Sequence, residues 1–233
     1  DSILVQSPSF KEYIINQGVN KSKLIYYPYY AENFYKKVTP PKKIKLLFPE
    51  GLNILFAGNI GVAQSFDTIL HSAKILAESI NNFTFIILGE GRDKKRIQEE
   101  IKKMKIEKHF NFLGSHPPEE MSNYFACADA LLVSLRDTKI FSYTIPGKLQ
   151  SYLACGRPII ASLNGIGAKI IDDSQCGFIS RSEDPTGLAD SILSLNKLNE
   201  QQKERLGNNA IDYYEKEFER THLLNRLINI FEE

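Results

Sequence analysis

The chain has 233 residues, of which 42% are hydrophobic and 24% are charged, and its formal net charge is +1. This composition is typical of a soluble globular protein, with one large domain or one domain and pieces of another. A nearly neutral chain gives no electrostatic reason to expect nucleic acid as the main partner. No stretch approaches the roughly 18 consecutive apolar residues of a membrane span.

The three cysteines, Cys127, Cys155 and Cys176, have neither the spacing of a zinc site nor the even count of a disulfide framework. We therefore expect buried, reduced thiols, no bound metal and a cytoplasmic location. The chain starts at Asp1 without a signal-peptide pattern. Secretion is thus not indicated, and we expect the sequence to be part of a longer one.

The first part of the chain predicts a strand, a helix and a second strand. Residues 3–6 are a short apolar run, residues 8–17 have a helical pattern, and residues 23–30 are typical of a strand cut short by proline. The lysine- and proline-rich stretch 36–51 follows. Its composition favours a linker between domains, and a solvated surface loop is the alternative.

After this stretch, strands and helices alternate regularly. The predicted strands lie at 53–58, 83–89, 109–114, 130–135, 157–162 and 177–180. The predicted helices lie at 65–79, 94–103, 117–126, 147–155, 167–173, 185–196, 199–216 and 219–232. This alternation predicts an α/β fold with a Rossmann-like parallel sheet and helices on both faces.

Glycines mark the ends of three predicted strands: Gly58 and Gly61, then Gly89 and Gly91, then Gly114. Ligands bind beyond the carboxyl ends of strands in open parallel sheets, and glycine lets a ligand approach the backbone closely. The pattern therefore predicts one shared crevice, although glycine in such turns also serves tight packing alone. Neither GxGxxG nor GxxxxGK[ST] occurs, so the usual dinucleotide and P-loop motifs are absent.

Another candidate feature is the start of the helix at 147–155, where Lys148 follows Pro146 and Gly147. A lysine in the first turn opposes the helix dipole, at a cost of roughly 0.3–1 kcal/mol when exposed. Together with the free N–H groups of that turn, it could bind a diphosphate. The alternative is that Lys148 extends to water or pairs with Asp137 or a nearby glutamate.

Several motifs occur in a familiar order: "GN-G--Q", "LGEG", "FLG", "ADALLVS", "IPGKLQSYLACGRPIIAS" and "CGF". Together they resemble the C-terminal domain of GT-B fold glycosyltransferases of the large retaining family 4 (group 1). The similarity covers about residues 51–196 and is closest to the bacterial branch that acts on capsule, O-antigen and exopolysaccharide sugars.

The resemblance also implies a division of the chain into four parts. Residues 1–34 would end an N-terminal, acceptor-side domain, and residues 35–50 would be the linker. Residues 51–198 would form the nucleotide-sugar-binding Rossmann-like domain. The helices at 199–233 would pack back toward the N-terminal domain.

The activity implied is transfer of a sugar, with retention, from a nucleotide-diphosphate sugar, with UDP favoured, to a saccharide or lipid-linked acceptor. The acceptor would bind on the other domain, and peripheral membrane association would be compatible with a lipid-linked one. No metal or other cofactor would be required, because protein cations and helix amides stabilise the leaving diphosphate. Lys148 is the expected catalytic residue.

The resemblance implies three groups of donor contacts. The loop from Gly58 to Gln64 would approach the phosphates, Ser115 and His116 would border the base, and Gln150 or Ser151 would reach the ribose. The expected substrate-binding residues are Gly58, Asn59, Gly61, Gln64, Gly89, Gly91, Ser115, His116, Thr144, Gly147, Gln150 and Ser151. The other histidines, His71, His109 and His222, are expected at the surface or in packing.

The chain departs from the family's common pattern at its charged positions. Asn59 and Gln64 stand where many members have arginine and lysine, and Tyr143 and Ser151 stand where many have two glutamates. Ile166 stands where the branch often has an acidic residue. One rival hypothesis is therefore a non-catalytic nucleotide-sugar-binding module. A second is a nucleotide-sugar epimerase, which would need more acid–base groups than this crevice supplies.

Overall fold

A computed structural model describes residues 2–232 of the chain. The N-terminal segment forms β1 (Ile3–Val5), α1 (Pro8–Asn16) and β2 (Leu24–Tyr26), and the two strands pair in parallel as a separate small sheet. Helix α1 begins at Pro8 because the Ser7 hydroxyl accepts a hydrogen bond from the Phe10 N–H at 3.1 Å. The predicted strand–helix–strand unit is thus present.

The lysine- and proline-rich segment is more ordered than its composition predicts. It contains a short helix, α2 (Lys42–Lys45), that the sequence pattern did not indicate. Phe48 is buried and Ile44 packs against the same core. A four-residue helix is too short to show a helical period, so its sequence carried only the polar signal of a loop.

The main sheet has six parallel strands. They are β3 (Leu52–Ala57), β4 (Phe83–Leu88), β5 (Phe110–Gly114), β6 (Ala130–Ser134), β7 (Ile159–Ser162) and β8 (Gly177–Ser180). Their order is β5-β4-β3-β6-β7-β8, which confirms the predicted Rossmann-like sheet. The direction of chain progression reverses between β3 and β6, so a crevice is expected at the carboxyl ends of these two strands.

Helices cover both faces of this sheet. The remaining helices are α3 (Phe66–Ser79), α4 (Lys94–Met104), α5 (Met121–Phe125), α6 (Lys139–Tyr143), α7 (Gly147–Ala154), α8 (Ile166–Ser174), α9 (Pro185–Asn196), α10 (Glu200–Glu217) and α11 (Arg220–Glu232). Helices α3, α4 and α9 pack on one face, and α5, α7, α8 and α10 pack on the other. The short α6 was not predicted.

Two apolar layers hold the sheet between these helices. Every residue of β3 and β4 is buried, because each strand is covered on both sides. Leu55 faces the layer that contains α7, whereas Phe56 faces α3 and contacts Phe66 with ring centroids 4.9 Å apart. Burial on both faces explains why these strands are continuous apolar runs rather than alternating ones.

The terminal helices contact the N-terminal segment. Arg226 donates a hydrogen bond to the Tyr26 carbonyl at 2.7 Å, and the Tyr27 hydroxyl donates to the Leu223 carbonyl at 3.0 Å. Helix α11 therefore packs beside the small sheet and not on the large one. Between residues 2 and 232, no helix combines the length and hydropathy needed to cross a bilayer.

Candidate functional site

A cleft of about 490 Å³ lies at the expected crevice. Its walls are formed by the loops after β3, β4 and β5, by α5, by the two turns of α7 and by one residue of the segment before α2. Its lining residues are Tyr35, Ala57, Gly58, Asn59, Leu88, Gly89, Glu90, Ser115, His116, Pro118, Met121, Phe125, Gly147, Lys148, Ser151 and Tyr152. The structure thus brings seven of the twelve expected binding residues, together with Lys148, to one cavity.

Helix α7 is attached directly to the end of β3 through Tyr152 in its second turn. The Ala57 N–H donates to the Tyr152 hydroxyl at 3.0 Å, and that hydroxyl donates to the Ala57 carbonyl at 3.4 Å. Burial raises the pKa of Tyr152, so its hydroxyl stays protonated. Pro146 supplies no side-chain cap, and Gly147 is exposed. The Leu149 N–H donates to the Pro146 carbonyl at 2.8 Å, and the N–H groups of Gly147 and Lys148 are left open at the cleft.

Lys148 has an unusual environment for a cation. Its Nζ lies 3.8 Å from the centroid of the Phe56 ring and is buried, with no hydrogen-bond partner among the described residues. Burial lowers the pKa of Lys148 to about 7. The Asp137 carboxylate instead accepts a hydrogen bond from the Asn164 amide at 3.1 Å. Lys148 therefore neither pairs with Asp137 nor places its nitrogen in solvent.

Glycine makes room for this arrangement at two strand ends. Gly58 has φ +136°, and a Cβ there would lie 3.3 Å from the Lys148 Nζ. A Cβ at Gly89 would collide with the Gly58 carbonyl oxygen, because the loops after β3 and β4 touch. These glycines permit close packing between loops and also line the cleft. The packing role considered from the sequence is therefore present, and close approach of a ligand stays a prediction.

The loop after β5 forms the opposite end of the cleft, where Ser115 and His116 lie. The His116 ring is held at both nitrogens: Nε2 is 2.9 Å from the Leu113 carbonyl oxygen, and Nδ1 is 3.1 Å from the Tyr124 hydroxyl. Neither nitrogen is free for proton transfer. His109 is buried and stacks on Phe83, and burial lowers its pKa. His71 and His222 are exposed.

Five expected binding residues do not line the cleft: Gly61, Gln64, Gly91, Thr144 and Gln150. Gln150, expected at the ribose, is instead buried at 1% exposure. Its amide nitrogen lies 2.8 Å from the Pro146 carbonyl oxygen and 3.0 Å from that of Gly147. It thus stabilises the first turn of α7 from behind. The Thr144 hydroxyl similarly donates to a carbonyl within its own turn.

Gln64, Gly61 and Gly91 shape the loop that carries Gly58 and Asn59. The Gln64 amide nitrogen lies 3.1 Å from the Asn59 carbonyl oxygen and 3.0 Å from that of Gly61. A Cβ at Gly91 would collide with the Ile60 carbonyl oxygen. These residues therefore act on backbone conformation.

The sequence reasoning missed three polar residues of the cleft, which are Tyr35, Glu90 and Tyr152. Glu90 lies inside the quoted "LGEG" motif, and its carboxylate pairs with the Lys94 ammonium at 2.6 Å. Tyr35 comes from the segment before α2, far from the motifs. The only signal for Glu90 was its place at a strand end, and no sequence signal indicated Tyr35.

Curated relatives of this chain are glycosyltransferases. It is 27% identical over 142 residues to the 2-deoxystreptamine N-acetyl-D-glucosaminyltransferase of Niallia circulans. The aligned region covers 61% of this chain and 35% of that protein. It is 25% identical over 174 residues to the alpha-monoglucosyldiacylglycerol synthase of Acholeplasma laidlawii. That alignment covers 73% of this chain and 41% of the synthase. The matches thus span less than half the length of these relatives.

Solved structures share the fold of the whole chain. Anabaena Alr3699/HepE in complex with UDP and glucose superposes with a TM-score of 0.81 at 16% identity, covering 100% of this chain and 63% of that one. A mutant of S. aureus TarM in complex with UDP and other ligands superposes with a TM-score of 0.78 at 16% identity. The superposition covers 100% of this chain and 44% of the TarM chain. At these identities the likeness concerns the fold alone.

The sequence model of the family "Glycosyl transferases group 1" matches residues 38–213. This range contains the six-stranded sheet and most of α10. It also contains all the expected site residues, so the match covers the motifs that carried the resemblance. The chain therefore belongs to the group 1 glycosyltransferase family.

Proposed function

We propose that this chain is the donor-binding part of a retaining glycosyltransferase that uses a nucleotide-diphosphate sugar. The observation that carries the proposal is the buried, unpartnered Nζ of Lys148 beside the uncapped first turn of α7. Neither feature has an anionic partner among the residues that the structure describes. A diphosphate in the cleft would supply one.

The catalytic contribution of this site is electrostatic. Negative charge grows on the diphosphate as the bond between the sugar and the phosphate breaks, and Lys148 and the α7 amides would stabilise it. Because the donor phosphate could itself take the acceptor's proton in a front-face attack, no separate base is needed. Glu90 and His116 are the carboxylate and imidazole of the cleft, and both are already engaged. This arrangement disfavours an epimerase.

Three further parts of the proposal rest on the comparisons. UDP is the preferred nucleotide, because HepE and the pneumococcal O-GlcNAc transferase GtfA were solved with UDP. A surface polysaccharide is the product class, because one relative is the amylovoran biosynthesis glycosyltransferase AmsK of Erwinia amylovora. The saccharide or lipid-linked acceptor would bind to the N-terminal domain, in the cytoplasm or at the inner face of the membrane.

The test is titration calorimetry of the chain with UDP, GDP, UDP-sugars and uridine. Lys148→Ala should weaken UDP binding by about 1.5–3 kcal/mol, because a charge-assisted contact is lost, and should leave uridine binding unchanged. Lys74→Ala is the matched control, since Lys74 is an exposed lysine on α3. It should bind UDP as the wild type does.

Two results would contradict the proposal. Equal weakening of uridine and UDP would show that Lys148 is not a phosphate ligand. Absence of binding of any nucleotide at millimolar concentration would exclude a donor site. A transfer assay on the full-length protein separates the enzyme from a non-catalytic sensing module, because only the enzyme consumes donor in an acceptor-dependent way.

A further inference from the structure

Tyr35 is the one cleft residue that lies outside the Rossmann-like domain as the sequence delimits it. It belongs to the irregular segment between β2 and α2, yet it lines the same cavity as Lys148 and Ser151. Tyr35 is far in sequence from every motif, so its position in the cleft results from the tertiary fold. Its side chain forms the wall of the cleft beside α7.

Tyr35 is held firmly in place. The buried Ser122 hydroxyl donates to the Phe34 carbonyl at 2.7 Å and accepts from the Lys36 N–H at 3.2 Å, so the backbone is bound on both sides of Tyr35. The Tyr35 ring stacks on Phe125, with centroids 6.3 Å apart and an interplanar angle of 9°. The phenol therefore has a defined direction.

The polar neighbour of the phenol is Ser151 on α7. Burial raises the pKa of Tyr35, and a polar contact with the Ser151 hydroxyl offsets part of that effect. The phenol thus stays protonated at neutral pH and can both donate and accept. Ser151 lies four residues beyond Gly147, which places it one turn along the same helix face, about 6 Å farther along the axis.

This spacing matches the dimensions of a nucleotide. A diphosphate bound at Gly147 and Lys148 would place the ribose roughly one helical turn away, beside Ser151 and Tyr35. Two neutral hydroxyls that each donate and accept complement the paired hydroxyls of a ribose. They also add no negative charge next to the diphosphate, unlike a carboxylate at position 151.

We propose that the Tyr35 hydroxyl, together with that of Ser151, binds the ribose hydroxyls of the nucleotide donor. This inference rests on the proposed function of the cleft. It assigns recognition of the ribose to a residue outside the sheet domain.

The experiment compares UDP with its 2′,3′-dideoxy analogue by titration calorimetry on the wild type and on Tyr35→Phe. Phenylalanine keeps the ring stacked on Phe125 and removes only the hydroxyl. We expect UDP affinity to fall about five- to tenfold, and affinity for the dideoxy analogue to change less than about twofold. Tyr29→Phe is the control, because Tyr29 is 66% exposed on the same segment.

The outcomes separate the two proposals. If the wild type binds UDP and Tyr35→Phe leaves UDP affinity unchanged, or weakens both ligands equally, the ribose contact is overturned and the donor site stands. If the wild type binds neither ligand, both proposals are overturned. A loss confined to UDP, absent from Tyr29→Phe, supports the contact.

Discussion

Helices α7 and α10 begin in opposite ways. At α10, the Asn199 side chain accepts from the Gln202 N–H at 2.9 Å, and the Gln202 side chain accepts from the Asn199 N–H at 3.0 Å. At α7, Pro146 provides no side-chain cap, and Gly147 is exposed and has no side chain. Lys148 adds a positive charge to the positive end of the helix dipole.

This difference separates a structural helix start from one suited to bind a ligand. The first turn of α10 finds its hydrogen-bond partners within its own sequence, as a capping box does. In the first turn of α7, the N–H groups of Gly147 and Lys148 stay unmatched, and the buried Lys148 ammonium has no partner among the described residues. The start of α7 should therefore lower the free energy of unfolding of the free protein, and binding of an anion there should raise it. The start of α10 should have neither effect.

The largest expected effect is on folding stability at Lys148. Its folded-state pKa of about 7 lies below the ordinary value of 10.5. Between these pH values the unfolded chain binds more protons, so this lysine makes wild-type stability rise with pH. Lys148→Met should therefore raise the free energy of unfolding by about 2 kcal/mol at pH 7, and the gain should shrink toward zero near pH 10.

Urea unfolding of both proteins at several pH values measures this gain. Lys74→Met, at an exposed position, should show no pH-dependent difference from the wild type. A constant gap between Lys148→Met and the wild type from pH 6.5 to 9.5 would contradict a buried ammonium that loses its proton near pH 7.

The second effect is at the capped helix. Asn199→Ala removes one half of the capping box and should lower the free energy of unfolding by about 1 kcal/mol. UDP affinity should be unchanged, because α10 starts away from the cleft-lining residues. Urea unfolding and calorimetry on the same preparation test both statements. A matched loss of UDP affinity would show that the two helix starts are not independent.

The smallest effect on stability is expected at Gly147. A Cβ at this position would meet no atom within 4 Å, so Gly147→Ala fits the free protein. It should raise the free energy of unfolding by about 0.5 kcal/mol, because alanine restricts the unfolded chain. UDP affinity should nevertheless fall, since the methyl group would project where a phosphate approaches the backbone. Unchanged UDP affinity in this variant would place the diphosphate elsewhere.

The sequence predicted the long, periodic elements well. The six strands of the main sheet are largely apolar runs, five of them with a glycine or proline at one end, and their alternation with helices predicts a parallel sheet. The exceptions are α2 and α6, which have four and five residues. Elements this short show no period, and their existence depends on tertiary contacts such as those of Ile44 and Phe48.

The residues that line the cleft were predictable where the position of the backbone alone places them there. Gly58, Gly89 and Lys148 line the cleft because strand ends and a helix start must converge at the switch point. Side-chain direction was less accessible: Gln150 folds back onto the carbonyls of its own first turn. Tyr35 could not be foreseen, because its place depends on Ser122 and Phe125, about ninety residues away in sequence.

The paired hydrogen bonds between Tyr152 and Ala57 have a consequence for how the cleft responds to a ligand. They join the second turn of α7 to the central strand, so the first-turn amides and Lys148 of the same helix are oriented before any ligand arrives. The ordering entropy of that subsite is then lost during folding and not during association.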